Sequence, residues 1–153
     1  MASILALTQT QPTRSLAPGE ELVTRGDEGG ELYVLDSGRL TVERDGVTLA
    51  TIAEPGALIG EMAVLLGNDH SATVRAETAA TVRVIDNPIA FLERTPLVAL
   101  HVATLACARL EATSALLVEL RKETQGRAGE QGILSRIMSA LSAPPPASSR
   151  HQA

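Results

Sequence analysis

The chain has 153 residues, a net charge of −5 at pH 7 and 44% hydrophobic residues, enough to bury the core of one globular domain. The negative charge argues against general electrostatic attraction to nucleic acid, and the single cysteine excludes an intramolecular disulfide. With one Phe, one Tyr and no Trp, the core must consist of Leu, Val, Ile and Ala.

Composition shifts along the chain predict four segments. They are an N-terminal segment 1–15, a β-rich region with a long helix 16–123, a linker and short amphipathic helix 124–141, and a disordered tail 142–153. For residues 1–15, a short helix and a frayed end are equally consistent with the pattern. The proline run Pro144–Pro146 favours disorder in the tail.

Short strands separated by glycine turns dominate the first half of the chain. The predicted strands are Glu21–Thr24, Glu31–Leu35, Leu40–Glu43, Val47–Ile52, Ser71–Glu77 and Thr81–Asp86. Asp45-Gly46 is a typical hairpin turn between two of them. Such a series of strands predicts a mainly β fold, a closed jelly roll or barrel.

The segment Gly56–Ala76 contains the candidate site. Glu61–Leu66 is a strong helix-forming run that follows Gly60 and ends at Gly67-Asn68-Asp69. Unpaired N–H groups at the start of such a helix favour a small anion. His70 and Ser71 add a titratable ring and a hydroxyl.

This segment resembles the cyclic nucleotide-binding domain family, which includes catabolite-activator-type regulators, protein kinase A regulatory subunits and gated channels. Gly60–Ala63 and Ser71–Val74 match the family's phosphate-binding cassette, and Leu16–Gly38 is similar to its opening strands and glycine turns. The resemblance implies a double-stranded β-roll (jelly roll) with a short cassette helix and C-terminal α-helices. The implied ligand is cAMP or cGMP, with no metal.

The resemblance also implies roles for individual residues. Glu61 would accept a hydrogen bond from the ribose 2′-hydroxyl, and Ser71 would contact the cyclic phosphate. Thr73 lies either near the base or in an ordinary strand position. The full candidate set is Gly60, Glu61, Met62, Ala63, His70, Ser71, Ala72 and Thr73.

One position departs from the family pattern, because the phosphate-binding arginine of the family is His70 in this sequence. Arginine offers a permanent charge and two parallel donors, whereas histidine is mostly neutral at pH 7. Losing one charge-assisted hydrogen bond would weaken binding by roughly ten- to a hundredfold. Arg75 is the nearby residue that offers a replacement charge, provided that it reaches the pocket.

After Pro88, helical patterns replace the strands. Pro88 fits the first turn of a helix that continues through Glu93, and Thr95-Pro96 fits the start of a long helix, Leu97–Glu123. Two apolar stripes run along it: Leu100, Ala103, Cys107, Leu110, Ser114 and Leu117 at heptad-like spacing, and Leu105, Ala112, Leu116 and Leu120.

Two interpretations of the long helix remain open. One stripe covers the β-roll and the other meets a second copy in a homodimer, or both belong to a broad face packed on the chain's own domain. In either case we expect Cys107 to be a buried, inert thiol. The following helix, Gln131–Leu141, is amphipathic and is either a docking element or a weakly held terminal helix.

These patterns favour a small-ligand sensor that signals through its C-terminal helices to an unknown protein effector. The alternative is a degenerate dimerisation or protein-interaction module that binds no nucleotide. Direct nucleic-acid binding is not expected, since only about thirty residues follow Glu123. No enzyme-like constellation and no apolar run near the roughly 20 residues that span a bilayer are visible, so we expect a cytoplasmic non-enzyme without a membrane partner.

Overall fold

Within residues 3–123 and 128–144, which the computed structural model describes, eight strands form two antiparallel sheets. The strands are β1 Thr13–Leu16, β2 Glu21–Val23, β3 Leu32–Ser37, β4 Leu40–Arg44, β5 Val47–Ile52, β6 Leu58–Ile59, β7 Thr73–Ala76 and β8 Ala80–Ile85. The helices are α1 Ile4–Leu7, α2 Glu61–Leu66, α3 Pro88–Arg94, α4 Pro96–Glu123 and α5 Ala128–Ser142.

The strand orders are β1-β8-β3-β6 in one sheet and β2-β7-β4-β5 in the other. The predicted β-roll is therefore confirmed. Strands distant in sequence pair in both sheets: Leu16 lies opposite Ala80, and Glu21 lies opposite Arg75. Contacts divide the described chain into two compact units, one of residues 3–99 and one that begins at Leu100.

The core of the first unit is aliphatic, as the composition predicts, with one tyrosine among its members. Alternation in the strands places these side chains inward. The buried cluster contains Leu16, Leu22, Val23, Tyr33, Leu35, Leu40, Ile59, Val74, Ala76, Ala80 and Val82. Burial of such apolar surface is the main force that stabilises the roll.

Two turns require backbone conformations that the sequence signals. Asp45 and Gly46 both have positive φ, 52° and 77°, as the predicted hairpin between β4 and β5 demands. Gly38, between β3 and β4, has φ 93° and lies against the β7–β8 turn, so that a Cβ there would meet the Ala79 carbonyl oxygen at 2.4 Å. Only glycine fits such a position without displacement.

Two strands were missed in the sequence. Residues 13–16, at the boundary of the segment predicted as a helix or a frayed end, form β1 along β8, although three of the four are exposed. The two-residue strand β6 pairs with β3. Neither segment has the apolar alternation that predicts a strand, because β1 lies at a sheet edge and β6 is too short to show a period.

Arg83 on β8 attaches α1 to the first sheet. Its guanidinium donates to the Asp36 carboxylate at 2.7 Å and also to the Leu5 carbonyl oxygen. The Thr8 hydroxyl, which is fully buried, donates to the Ile4 carbonyl oxygen at 2.8 Å. The N-terminal segment is therefore held by packing and by a hydrogen bond from the half-buried guanidinium of Arg83, which is also paired with Asp36.

The long helix α4 is much more exposed than expected. Val98 and Val102 are buried, but neither predicted stripe contains a buried residue among the described ones. Coverage of a stripe by the β-roll or by a second copy therefore stays a prediction, whereas the expected burial of Cys107 is wrong, because its thiol is exposed. By length and composition α4 is apolar enough to cross a membrane, which is weak evidence because many helices pass that test.

The second predicted C-terminal helix is present but begins earlier. It starts at Ala128 instead of the predicted Gln131, so part of the predicted linker is helical. The first residues of the predicted linker, 124–127, and residues 145–153 of the predicted disordered tail lie outside the described residues.

Candidate functional site

The short helix α2 begins and ends at glycines with left-handed backbones. Gly60 precedes it at φ 90° and Gly67 follows it at φ 66°, so the predicted helix Glu61–Leu66 is confirmed. A Cβ at Gly60 would lie 2.9 Å from the Glu31 carbonyl oxygen. The absence of a side chain lets the start of α2 approach the beginning of β3 closely.

The loop after α2 returns beside the β2–β3 turn. The His70 N–H donates to the Asp27 carbonyl oxygen, and the Gly26 N–H donates to the His70 carbonyl oxygen, both at 2.9 Å. Three residues further on, the Thr73 hydroxyl accepts the Arg25 N–H at 3.0 Å. The β2–β3 turn therefore fixes the course of residues 70–73.

The two halves of the cassette meet at His70. Its ring atom Cε1 lies 3.8 Å from the position of a Cβ on Gly60, and Tyr33 Cδ2 lies 3.9 Å from the same position. Burial lowers the pKa of His70, while the charges of Asp27, Asp69 and Glu31 act in the opposite direction. The half-buried ring is therefore mostly neutral at pH 7 in the unliganded protein.

Tyr33 and Glu31 lie beside Gly60, as the His70 ring does. The Tyr33 hydroxyl donates to the Glu31 carboxylate. Burial raises the pKa of Tyr33, and the bond to Glu31 raises it further, so the phenol stays protonated at any physiological pH. Asp27, Glu31 and Tyr33 were not predicted as neighbours of the site, because the sequence pattern identifies their segments only as a turn and a buried strand.

The eight residues predicted to form the site differ in exposure and do not all point toward the same place. Met62 is 56% exposed, whereas Ala63 is buried and packs on Gly29, where a Cβ would approach the Ala63 Cβ to 2.5 Å. Ser71 is exposed, and Glu61, Ala72 and Thr73 are partly buried. The structure brings Gly60 and His70 together and leaves Ala63 as a packing residue.

Arg75 does not replace the missing arginine. Its guanidinium donates to the Glu21 carboxylate at 2.7 Å and to the Gly19 carbonyl oxygen at 3.1 Å. A second carboxylate, that of Glu43, lies 3.9 Å away. Arg75 therefore stabilises the outer face of the second sheet, away from the inward-facing Val74 and Ala76.

A cleft of about 250 Å³ opens beside α2. It is bounded by the β2–β3 turn, by α2 and by the start of α3, and its lining is Gly29, Gly30, Ala63, Val64, Gly67, Asp86, Asn87, Pro88 and Ile89. Of the predicted site residues, only Ala63 borders it. In the described part of the chain no three His, Cys, Asp or Glu side chains gather as metal ligands.

Comparison with known proteins gives a match over this region. The profile of the cyclic nucleotide-binding domain family matches residues 13–91, which include both sheets, α2 and the loop with His70. A cAMP-dependent protein kinase regulatory subunit from Yarrowia lipolytica is 32% identical over 71 residues. That match covers 46% of this chain and 19% of the regulatory subunit, so the chain corresponds to a small part of this relative.

Solved structures share the architecture. The catabolite activator protein of Thermus thermophilus superimposes with a TM-score of 0.66 at 26% identity, over 89% of this chain and 80% of that one. A structure described as Sp-2Cl-cAMPS bound to PKAR CBD2 gives a TM-score of 0.58 at 22% identity, over 74% of each chain. At that identity the second match shows the fold alone.

Proposed function

Because this chain belongs to the cyclic nucleotide-binding domain family, we propose that it is a regulatory sensor that binds a cyclic nucleotide, cAMP or cGMP, at α2 and residues 70–73. The observation that carries the proposal is the convergence of Gly60 and His70, whose ring lies 3.8 Å from the Cβ position of Gly60. The start of α2 and the loop that follows it therefore lie at one place. The name of the Yarrowia lipolytica relative, a cAMP-dependent protein kinase regulatory subunit, favours cAMP.

In this proposal the output is carried by the C-terminal helices α4 and α5. A ligand shifts a conformational equilibrium only if it binds two states with different affinity. Repositioning of α4 upon binding would supply the second state. The effector protein and the cytoplasmic location stay predictions.

Glu61→Ala is expected to weaken cAMP binding by roughly ten- to a hundredfold, because the carboxylate is the proposed acceptor for the ribose 2′-hydroxyl. Isothermal titration calorimetry at pH 6 with cAMP and 2′-deoxy-cAMP measures this directly. The wild type should prefer cAMP, and Glu61→Ala should bind the two nucleotides equally.

The matched control is Glu93→Ala, which removes an exposed helical glutamate on α3 and should leave both affinities unchanged. Equal loss of cAMP affinity in both variants would contradict the assignment of Glu61. Absence of binding for every cyclic nucleotide, including to His70→Arg, would remove the sensor proposal itself.

The exposed apolar surface of α4 favours a second function, homodimerisation through this helix. Leu100 and Leu110 in the heptad-like stripe are 64% and 49% exposed, and Cys107 lies between them, also exposed. Large apolar side chains repeated along one face usually mark a contact surface. A parallel pair of helices would bring each Cys107 opposite its counterpart.

Mild oxidation is therefore expected to link two copies of the chain through Cys107. Non-reducing electrophoresis should show the covalent dimer, and Cys107→Ser should abolish it while sedimentation still reports a dimer. Leu110→Glu, a change at an exposed position, should give monomers that remain folded. A wild-type chain that sediments as a monomer at high concentration would exclude this interface.

A further inference from the structure

Three acidic groups act electrostatically on the ring of His70, two of them from the β2–β3 connection and one from the loop after α2. Asp27 lies in the β2–β3 turn, whose backbone pairs with His70, and Asp69 precedes His70 in the loop. Glu31 precedes β3 and holds the Tyr33 hydroxyl. All three carboxylates favour the protonated form of the ring, and burial disfavours it. Glu61, at the first position of α2, adds a fourth negative charge to the cassette.

The arginines of the neighbouring segments are engaged in ion pairs elsewhere. Arg25 pairs with Asp45 of the β4–β5 turn, and Arg75 pairs with Glu21 at 2.7 Å. A cyclic phosphate is a permanent anion in the physiological pH range. In the cassette it would therefore meet carboxylates and one titratable ring, with no permanent positive charge supplied by Arg25 or Arg75.

A charged ligand changes the balance between two opposing effects on the pKa of His70, the effect of burial and the effect of neighbouring charges. A phosphate oxygen beside His70 would add a negative charge and an acceptor within the half-buried cluster, and both stabilise an imidazolium. The carboxylates of Asp27, Asp69 and Glu31 already oppose the effect of burial. One further negative charge in contact with the ring would move the balance toward the protonated form.

We propose that this chain binds its cyclic nucleotide together with one proton, which His70 takes up beside Gly60, so that the affinity of the sensor depends on pH. The inference rests on the proposed function, since it concerns the same site. Protonated His70 supplies the positive charge that arginine supplies in the family pattern. The negative charges of Asp27, Asp69 and Glu31 favour this protonation, and acidification strengthens binding.

The sign of the effect follows from linkage. Burial lowers the pKa of His70 in the free protein, and the bound phosphate raises it. Between these two values the complex holds more protons than the free protein, so affinity falls as pH rises, with a limiting slope of about tenfold per pH unit. At a pH above the higher of these two pKa values, affinity no longer depends on pH and binding is weak.

Calorimetric titration of the full chain with cAMP at pH 6, 7 and 8, each in two buffers of different ionisation enthalpy, measures affinity and proton uptake together. We expect the wild type to bind more tightly at pH 6 than at pH 8 and to take up close to one proton per nucleotide at intermediate pH. His70→Arg should bind about ten- to a hundredfold more tightly than the wild type at pH 8, without pH dependence. His70→Gln should bind weakly at every pH.

The control is His101→Gln, which removes an exposed histidine on α4 and should retain the wild-type slope. Wild-type binding without proton uptake, or a slope that persists in His70→Gln, would overturn the inference while leaving the sensor intact. Binding of the nucleotide by His70→Arg but not by the wild type would overturn the inference as well. Failure of both wild type and His70→Arg to bind would instead reject the proposed function, and the inference with it.

Discussion

Replacing Gly38 with alanine is expected to lower the free energy of unfolding by about 2–5 kcal/mol, the sum of left-handed backbone strain and overpacking. The new Cβ would lie 2.4 Å from the Ala79 carbonyl oxygen and 2.6 Å from Ala80 Cα. Both are backbone atoms, which cannot rotate away as a side chain would. The whole β7–β8 turn must therefore shift, and urea unfolding followed by circular dichroism measures the cost.

Gly46→Ala separates the two contributions. Gly46 also has a positive φ, 77°, but no heavy atom lies within 4 Å of its missing Cβ. It should therefore show only the backbone strain, about 1–2 kcal/mol. Equal losses of stability in the two variants would mean that the contact between Gly38 and the β7–β8 turn has no energetic importance.

Truncation of Leu40 to alanine is the second large effect, expected to reduce the free energy of unfolding by about 2–5 kcal/mol. The Leu40 side chain on β4 is 0% exposed and belongs to the central cluster. Its removal loses apolar burial and leaves a cavity, because a close-packed β-roll relaxes only partly.

Leu49→Ala is the matched control, since the same atoms are removed from the neighbouring strand β5. The Leu49 side chain is 57% exposed, so the change should stay within about 0.5 kcal/mol. Comparable losses of stability for the two leucines would contradict the assignment of Leu40 to the core and of β5 to the exposed edge.

The elements most accurately predicted are those in which local chemistry and tertiary packing agree. Glu61–Leu66 combines strong helix formers with glycines at both ends, and Asp45-Gly46 has the residues that its hairpin requires. The start of α3 was also predictable, because Pro88 occupies its first turn and the Asn87 side chain accepts the Ala90 N–H. In each case the signal lies within a few residues.

Features that depend on distant parts of the chain were not predictable. β1 forms because β8 offers its edge, although three of the four β1 side chains are exposed. The apolar pattern of α4 predicted covered stripes, but periodicity identifies only an apolar face and not what covers it. The burial of Cys107 was predicted from that pattern, and the thiol is in fact exposed.

The candidate site could be located from the sequence but not described electrostatically. Gly60 and His70 were both identified, and they do lie together. Asp27 and Glu31 lie about forty residues earlier in the chain, and their charges act on the ring only because the loop after α2 returns beside the β2–β3 turn. Pairing of Arg75 with Glu21 likewise depends on the β2–β7 pairing.

Pairing of β1 with β8 has a consequence for how the domain forms. The paired residues of β1 and β8 are roughly 65–70 residues apart in sequence, whereas the β4–β5 hairpin closes locally. Such non-local topology predicts folding in milliseconds to seconds, with the local hairpin available earliest. On the ribosome, at about 5–20 residues per second, β1 would wait several seconds before β8 is synthesised. Until then its hydrogen-bonding edge is free to pair with another chain.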